Sequence, residues 1–185
     1  AMAFDEERGV TIVYGGQGIT PETWSYDGSE WKIVAAAEDG PGLRWGHSMA
    51  YDANRKVVVM FGGFTNDHAA DTWEWDGTEW KEITTENAPR PSRDHAMVFD
   101  SSRNVIVLFG GRDNSSAGNN DTWEYDGTNW IQRGPTDSDP GIRHEVAAAF
   151  DSWRNKVILF GGSTGDNEDN RWMDDTWWYP NVPPM

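Results

Sequence analysis

The sequence predicts an all-β propeller of four blade repeats, each a four-stranded antiparallel sheet, with the last blade lacking its outer strand. Three observations predict it. An aromatic followed by two glycines occurs four times, at Tyr14-Gly15-Gly16, Phe61-Gly62-Gly63, Phe109-Gly110-Gly111 and Phe160-Gly161-Gly162. An acid-Thr-Trp triplet follows each of them, at Glu22-Thr23-Trp24, Asp71-Thr72-Trp73, Asp121-Thr122-Trp123 and Asp175-Thr176-Trp177. An Asp-Gly turn comes next in three copies, Asp27-Gly28, Asp76-Gly77 and Asp126-Gly127. A repeat of roughly fifty residues carried by short strands belongs to propeller blades within a single domain. That domain spans residues 1–185, with blades at approximately 1–34, 47–83, 95–133 and 146–180.

The third repeat displays each element in turn. His95 to Asp100 reads as strand one. Val105 to Phe109 is strand two, apolar throughout, as in a strand covered on both faces. Asp121 to Tyr125 is strand three, with Trp123 and Tyr125 on one face at a period of two. Asn129 to Gln132 is strand four. Strands one and two are joined by an Asp-x-x-Arg turn in every copy (Asp5/Arg8, Asp52/Arg55, Asp100/Arg103, Asp151/Arg154), where the Asp caps the turn. Strands three and four are joined by the Asp-Gly turns, which supply the positive φ of a tight hairpin. Trp24, Trp73, Trp123 and Trp177 recur in strand three and Trp31, Trp80 and Trp130 in strand four, as expected of packing between blades. The fourth repeat breaks the pattern: Tyr179-Pro180-Asn181 stands where aromatic-Asp-Gly should, and proline cannot close that hairpin in the same way.

Composition bounds the function. The formal charge is −16, which phosphate backbones repel, so nucleic acid and anionic membrane surfaces are not expected partners. A basic or a neutral partner fits better, and plain solubility is the structural account of the same charge. No apolar run approaches 20 residues, so no membrane span is expected, and the N-terminal residues do not read as a signal peptide. Cysteine is absent, which removes disulfides, thiolate metal sites and thiol nucleophiles. Compartment is not decided by these features: the acidity, the absence of cysteine and the Trp- and Asn-rich loops are compatible with either side of the cell boundary, and the reading leans to an extracellular or cell-surface setting.

Aromatic-Gly-Gly, a variable loop, acid-Thr-Trp, aromatic-Asp-Gly and a final Trp together resemble the kelch repeat over nearly the whole chain. The resemblance implies four-stranded blades around a central axis. It also implies a protein-interaction module, since most kelch proteins serve as such and a minority are enzymes. Kelch propellers usually have more than four blades. The repeat count therefore leaves open a closed four-bladed ring, a homodimer whose two chains complete a larger ring, for instance of eight blades, and an excerpt of a longer protein; an open arc, which would expose apolar blade faces, is expected to be the least stable choice.

Topology locates the variable surface. The loop between strands two and three shares an end of the blade with the segment leading into the next strand one, and loops on a rigid frame are the usual carriers of binding. The lead-in segments hold cations and imidazoles: Arg44-Trp45-Gly46-His47, Arg93-Asp94-His95 and Arg143-His144-Glu145. Kelch repeats often carry an Arg and a His here. These groups suit a carboxylate or a sugar, and the structural reading pairs each Arg with the acid of a nearby acid-Thr-Trp or with a loop carbonyl. Trp45 and Trp172 map to the same face and Trp153 to the opposite one. The expected ligand-binding set is thus Arg44, Trp45, His47, Arg93, His95, Arg143, His144 and Trp172. Asp166 to Asn170 offers oxygen ligands to calcium, but its spacing fits no helix-loop-helix calcium loop, and a solvated acidic loop is the plainer reading. No metal, cofactor or catalytic residue is expected. The predicted function is a non-enzymatic binding module whose loop face meets a protein partner. The alternative is a propeller that binds or modifies carbohydrate, as a mutarotase or lyase would, with the same Arg/His face meeting a glycan.

Overall fold

The computed structural model describes residues 1–18, 20–113, 118–136, 139–165 and 171–179. Its described residues form four antiparallel sheets. Blade 1 comprises β1 (Met2–Asp5), β2 (Val10–Tyr14), β3 (Thr23–Tyr26) and β4 (Trp31–Ala35). Blade 2 comprises β5 (Ser48–Asp52), β6 (Val57–Phe61), β7 (Thr72–Trp75) and β8 (Trp80–Ile83). Blade 3 comprises β9 (Ala96–Asp100), β10 (Val105–Phe109), β11 (Thr122–Tyr125) and β12 (Trp130–Gln132). Blade 4 has three described strands, β13 (Ala147–Asp151), β14 (Lys156–Phe160) and β15 (Thr176–Tyr179). In each sheet the strands lie side by side in chain order. Residues 180–185, which include the Pro180-Asn181 break in the repeat, lie outside the described residues.

The turns form for the expected local reasons. Oδ1 of Asp52 accepts the backbone N–H groups of Asn54 and Arg55 at 3.0 Å each, and its Oδ2 meets Nε of Arg55 at 2.8 Å. Asp100 and Asp151 repeat this cap. At the other hairpins, Asp27, Asp76 and Asp126 each accept two backbone N–H groups and a hydroxyl from the residues that follow. Carboxylates so bonded tie off turn N–H groups that would otherwise lack partners.

Packing lies between blades. Blade 1 meets blade 2 through Ala3, Ile12 and Tyr14 against Met49, Val58, Met60, Trp75 and Trp80. Blade 2 meets blade 3 through Ala50, Val59 and Phe61 against Met97, Ile106, Leu108, Tyr125 and Trp130. Blade 3 meets blade 4 through Val107 and Phe109 against Val157 and Leu159. Each joint thus has a trailing face on the earlier blade and a leading face on the later one. The Trp of strand four ties the first two joints: Trp80 donates its indole N–H to Oγ1 of Thr23 at 2.8 Å, and Trp130 to Oγ1 of Thr72 at 2.9 Å. The threonine of acid-Thr-Trp is therefore the acceptor for the next blade's tryptophan, which satisfies a buried donor at no loss of packing.

The inner strands pack in the order β1, β5, β9, β13, and β13 is not packed back onto β1 in this way. The leading face of blade 1 and the trailing face of blade 4 are uncovered. Met2 is 65% exposed where its counterpart Met49 is 7% exposed, and Phe160 is 52% exposed where Phe61 is fully buried. The four blades form an open arc. Of the arrangements the repeat count leaves open, the closed four-bladed ring is the one the fold does not adopt.

Candidate binding face

The three lead-in segments cross from one blade to the next at the loop end. Their register is fixed by backbone bonds: the second glycine of each preceding diglycine donates to the carbonyl of Arg44, Ser92 or Arg143, from Gly16, Gly63 and Gly111 at 2.9, 2.9 and 3.0 Å. The first glycine explains the pair. Gly62 has φ +63°, and a Cβ there would stand 2.7 Å from the Ser92 carbonyl oxygen; at Gly15 it would stand 2.6 Å from that of Arg44. No other residue fits beneath the lead-in segment.

This register makes Arg44, Ser92 and Arg143 equivalent, and likewise Trp45, Arg93 and His144. The sequence spacing suggests that Arg93 matches Arg44; Arg93 instead takes the place of Trp45, because Asp94 matches Gly46. Gly46, Asp94 and Glu145 share the left-handed conformation, at φ +68°, +57° and +56°. They are chained across the blades, with Asp94 N–H donating to the Gly46 carbonyl at 2.7 Å and Glu145 N–H to that of Asp94 at 2.8 Å.

Of the eight expected residues, five are built into the frame. Arg44 is buried and grips Asp71 with two bonds of 2.8 and 2.7 Å, and also meets the Gly62 and Pro41 carbonyls. Arg143 holds Asp175 and the Gly161 carbonyl in the same way. Burial opposes ionisation of Asp71, but the bonds and charge of Arg44 and the Trp73 indole N–H outweigh it and hold the carboxyl below its ordinary range. Arg143, assisted by Trp177, does the same for Asp175. Where Ser92 takes the arginine position, Arg90 reaches Asp121 at 2.8 Å instead. His47, His95 and His144 are buried. Burial pushes the His95 imidazole down to about 4 and that of His47 to about 2, the latter aided by the positive charges of the Ala1 amine and Arg44.

The remaining three residues reach the surface or its margin. The Arg93 guanidinium lies over the Trp45 ring at 4.6 Å, a cation–π stack between adjacent blades. Trp45 leans on Phe64 at 5.4 Å, and Phe64 meets His68 edge-on at 5.2 Å. Trp172 is 69% exposed and bridges to Ser163, which bridges in turn to His144. Each lead-in residue thus begins a short three-layer ribbon: Trp45–Phe64–His68, Arg93–Arg112–Gly118 and His144–Ser163–Trp172. Phe64, His68 and Arg112 lie in the post-diglycine loops expected on this face, but they were not among the eight expected binding residues. Their signal was positional, since Phe64, Arg112 and Ser163 each directly follow a diglycine.

The concave side of the arc holds two open grooves. One of about 240 Å³ lies at the loop end between Met2, His47, His95 and Val146. One of about 470 Å³ lies at the turn end, where Phe4, Tyr51, Phe99 and Phe150 contribute one ring from each inner strand. Among the described residues no cluster of three or more His, Asp or Glu side chains could hold a metal ion. The acidic run Asp166 to Asn170 lies outside the described residues. Among the described residues no helix is long and apolar enough to cross a membrane.

With this geometry in view, a family profile described as the KLHDC2/KLHL20/DRC7 Kelch-repeats domain matches residues 8–181. Among solved structures the chain is similar to the one described as "Structure of YjhT", with a TM-score of 0.65 at 12% identity, over 85% of this chain and 48% of that one. The chain thus spans about half the length of that solved structure. No curated protein matches it.

Proposed function

Since the chain belongs to the kelch-repeat family, we propose that it is a non-enzymatic module that binds a protein partner through the loop face, with Trp45, Arg93 and Trp172 as anchors. One observation carries the reading. Arg44 and Arg143, and His47 and His95, repeat their chemistry in the buried frame, while Trp45 and Arg93, equivalent in register, differ in chemistry and reach the margin of the surface; the third occupant of that position, His144, is buried. A position freed from the frame and varied in chemistry is where a propeller can specialise. Trp and Arg are the side chains that most often dominate binding energy at protein interfaces. The Arg93–Trp45 stack is also preorganised, so little side-chain freedom is lost on binding.

A second reading has its own observation. Trp172, 69% exposed, presents a flat apolar ring on the same face, which suits stacking on a sugar. The deciding experiment measures binding of the intact chain to a glycan array and to a protein partner isolated by pull-down, each repeated with Trp172→Ala and Trp45→Ala. A purified protein that binds the parent chain at least tenfold more tightly than either variant supports the first reading. Sugar binding lost in the same variants supports the second. Binding that survives both substitutions overturns the face assignment.

A further inference from the structure

We propose that the two uncovered faces of the arc are halves of one joint: the trailing face of blade 4 in one copy receives the leading face of blade 1 in a second copy, head to tail. This inference is independent of the loop-face reading.

Inside the chain the joint has three recurring components. The strand-four tryptophan donates to the preceding blade's threonine, as Trp80 does to Thr23 and Trp130 to Thr72. The same indole stands edge-on to the aromatic before the diglycine, Tyr14–Trp80 at 5.3 Å and Phe61–Trp130 at 5.2 Å. The arginine of the strand-one/strand-two turn lies against the next blade's Asp-Gly turn: Arg8 donates to the Asp76 carbonyl and lies against Gly77, and Arg55 lies against Gly127.

Every component has an unused half at each end of the arc. On blade 1, Trp31 is 52% exposed, and a Cβ on Gly28 would meet nothing within 4 Å. On blade 4, Thr176 and Phe160 are exposed and so is most of the Arg154 side chain. Docked as inside the chain, Trp31 donates to Thr176 and meets Phe160 edge-on, while Arg154 settles over Gly28. Trp178 occupies the position of Glu74 and Glu124 and is 51% exposed, so this joint is more apolar than the internal ones.

A second copy is the occupant proposed because the groups exposed on its blade 1, Trp31 and Gly28, are the counterparts of those exposed on blade 4, Thr176, Phe160 and Arg154. The two faces differ, so the contact is heterologous. Two arcs close it by making the same joint twice; an arrangement that failed to close would grow into a fibre.

The test is sedimentation of the intact chain, of Trp31→Glu, of Phe160→Glu and of an equimolar mixture of the two variants, with tryptophan fluorescence confirming that each is folded. Both side chains are exposed in the single chain, so the fold tolerates the changes; Thr176→Arg replaces Phe160→Glu if that variant unfolds. The parent is expected at twice 20.8 kDa and each variant alone at 20.8 kDa. The mixture should recover a dimer, because the Trp31→Glu copy keeps its trailing face and the Phe160→Glu copy its leading face. A parent that stays at 20.8 kDa at every concentration overturns the proposal. A dimer that persists in either variant alone, or a mixture that remains monomeric, overturns the head-to-tail arrangement.

Discussion

Tyr125 of blade 3 donates its phenolic hydroxyl to Oε1 of Glu74 of blade 2 at 2.9 Å. The Arg55 guanidinium bonds the same carboxylate and lies 5.1 Å from the centre of the Tyr125 ring. The next joint repeats the arrangement with Tyr179, Glu124 and Arg103, at 2.8 Å for the phenol and 5.3 Å for the cation over the ring. Burial, with the facing carboxylate adding to it, pushes both phenols well above their ordinary range. The glutamate in strand three is thus the hub of a blade joint. Glu74→Ala takes one of the two carboxylates from half-buried Arg55, leaving Asp52, and strands a buried hydroxyl, and should lower stability by about 2 kcal/mol; Tyr125→Phe removes one hydrogen bond and should cost about 1 kcal/mol. Urea unfolding of both variants checks the ranking, and equal costs would count against it.

The two kinds of arginine on the lead-in segments should separate cleanly. Arg44→Met leaves Asp71 without its buried partner and should destabilise by about 3–5 kcal/mol. Arg44→Lys should recover little of this, since an ammonium cannot reproduce the two-bond grip. Arg93→Ala gives up a stack over Trp45 and a partly exposed ion pair with Asp94, and should cost about 1 kcal/mol or less. Denaturant midpoints of the three variants measure this; a costly Arg93→Ala would make that residue part of the frame.

Two glycines with positive φ should respond differently to alanine. Gly28 sits in an open turn, so Gly28→Ala pays only for its backbone conformation, about 1 kcal/mol. Gly62→Ala adds a collision of its Cβ with the Ser92 carbonyl and should cost about 3 kcal/mol or more. Thermal unfolding of the pair gives the difference directly.

Stability should fall with acid before the carboxylates titrate. Burial keeps His95 and His47 neutral, at about 4 and about 2 against 6.5 for an exposed imidazole. An unfolded chain takes up these protons below pH 6.5 while the folded chain does not. The stabilisation is therefore complete above pH 6.5 and is lost as pH falls from there toward 4. The slope is about 1.4 kcal/mol per pH unit for each imidazole. His95→Gln should flatten the profile between pH 6.5 and 4. Unfolding free energies across that range test it, and an unchanged slope would refute the assignment.

What the sequence determined by itself is local and periodic. Asp-Gly and Asp-x-x-Arg place the hairpins because a carboxylate two or three residues from a backbone N–H closes its own turn. A period of two assigns each strand's faces. Together these give four blades, their strand order and the end at which the variable loops gather. The pairing of Arg44 and Arg143 with the acids of acid-Thr-Trp was legible as the structural reading of a repeated position. The tertiary structure decided the rest. It placed Ser92 and not Arg93 opposite Arg44, because register across blades is set by which carbonyl the Gly63 N–H finds, and backbone atoms are the same in every residue. It brought Arg93 over Trp45, 48 residues away along the chain by way of a neighbouring blade. It also left the arc open, because closure depends on the angle at which successive joints stack, and that angle is set by the summed shapes of buried side chains such as Trp80 and Trp130, which no single repeat encodes.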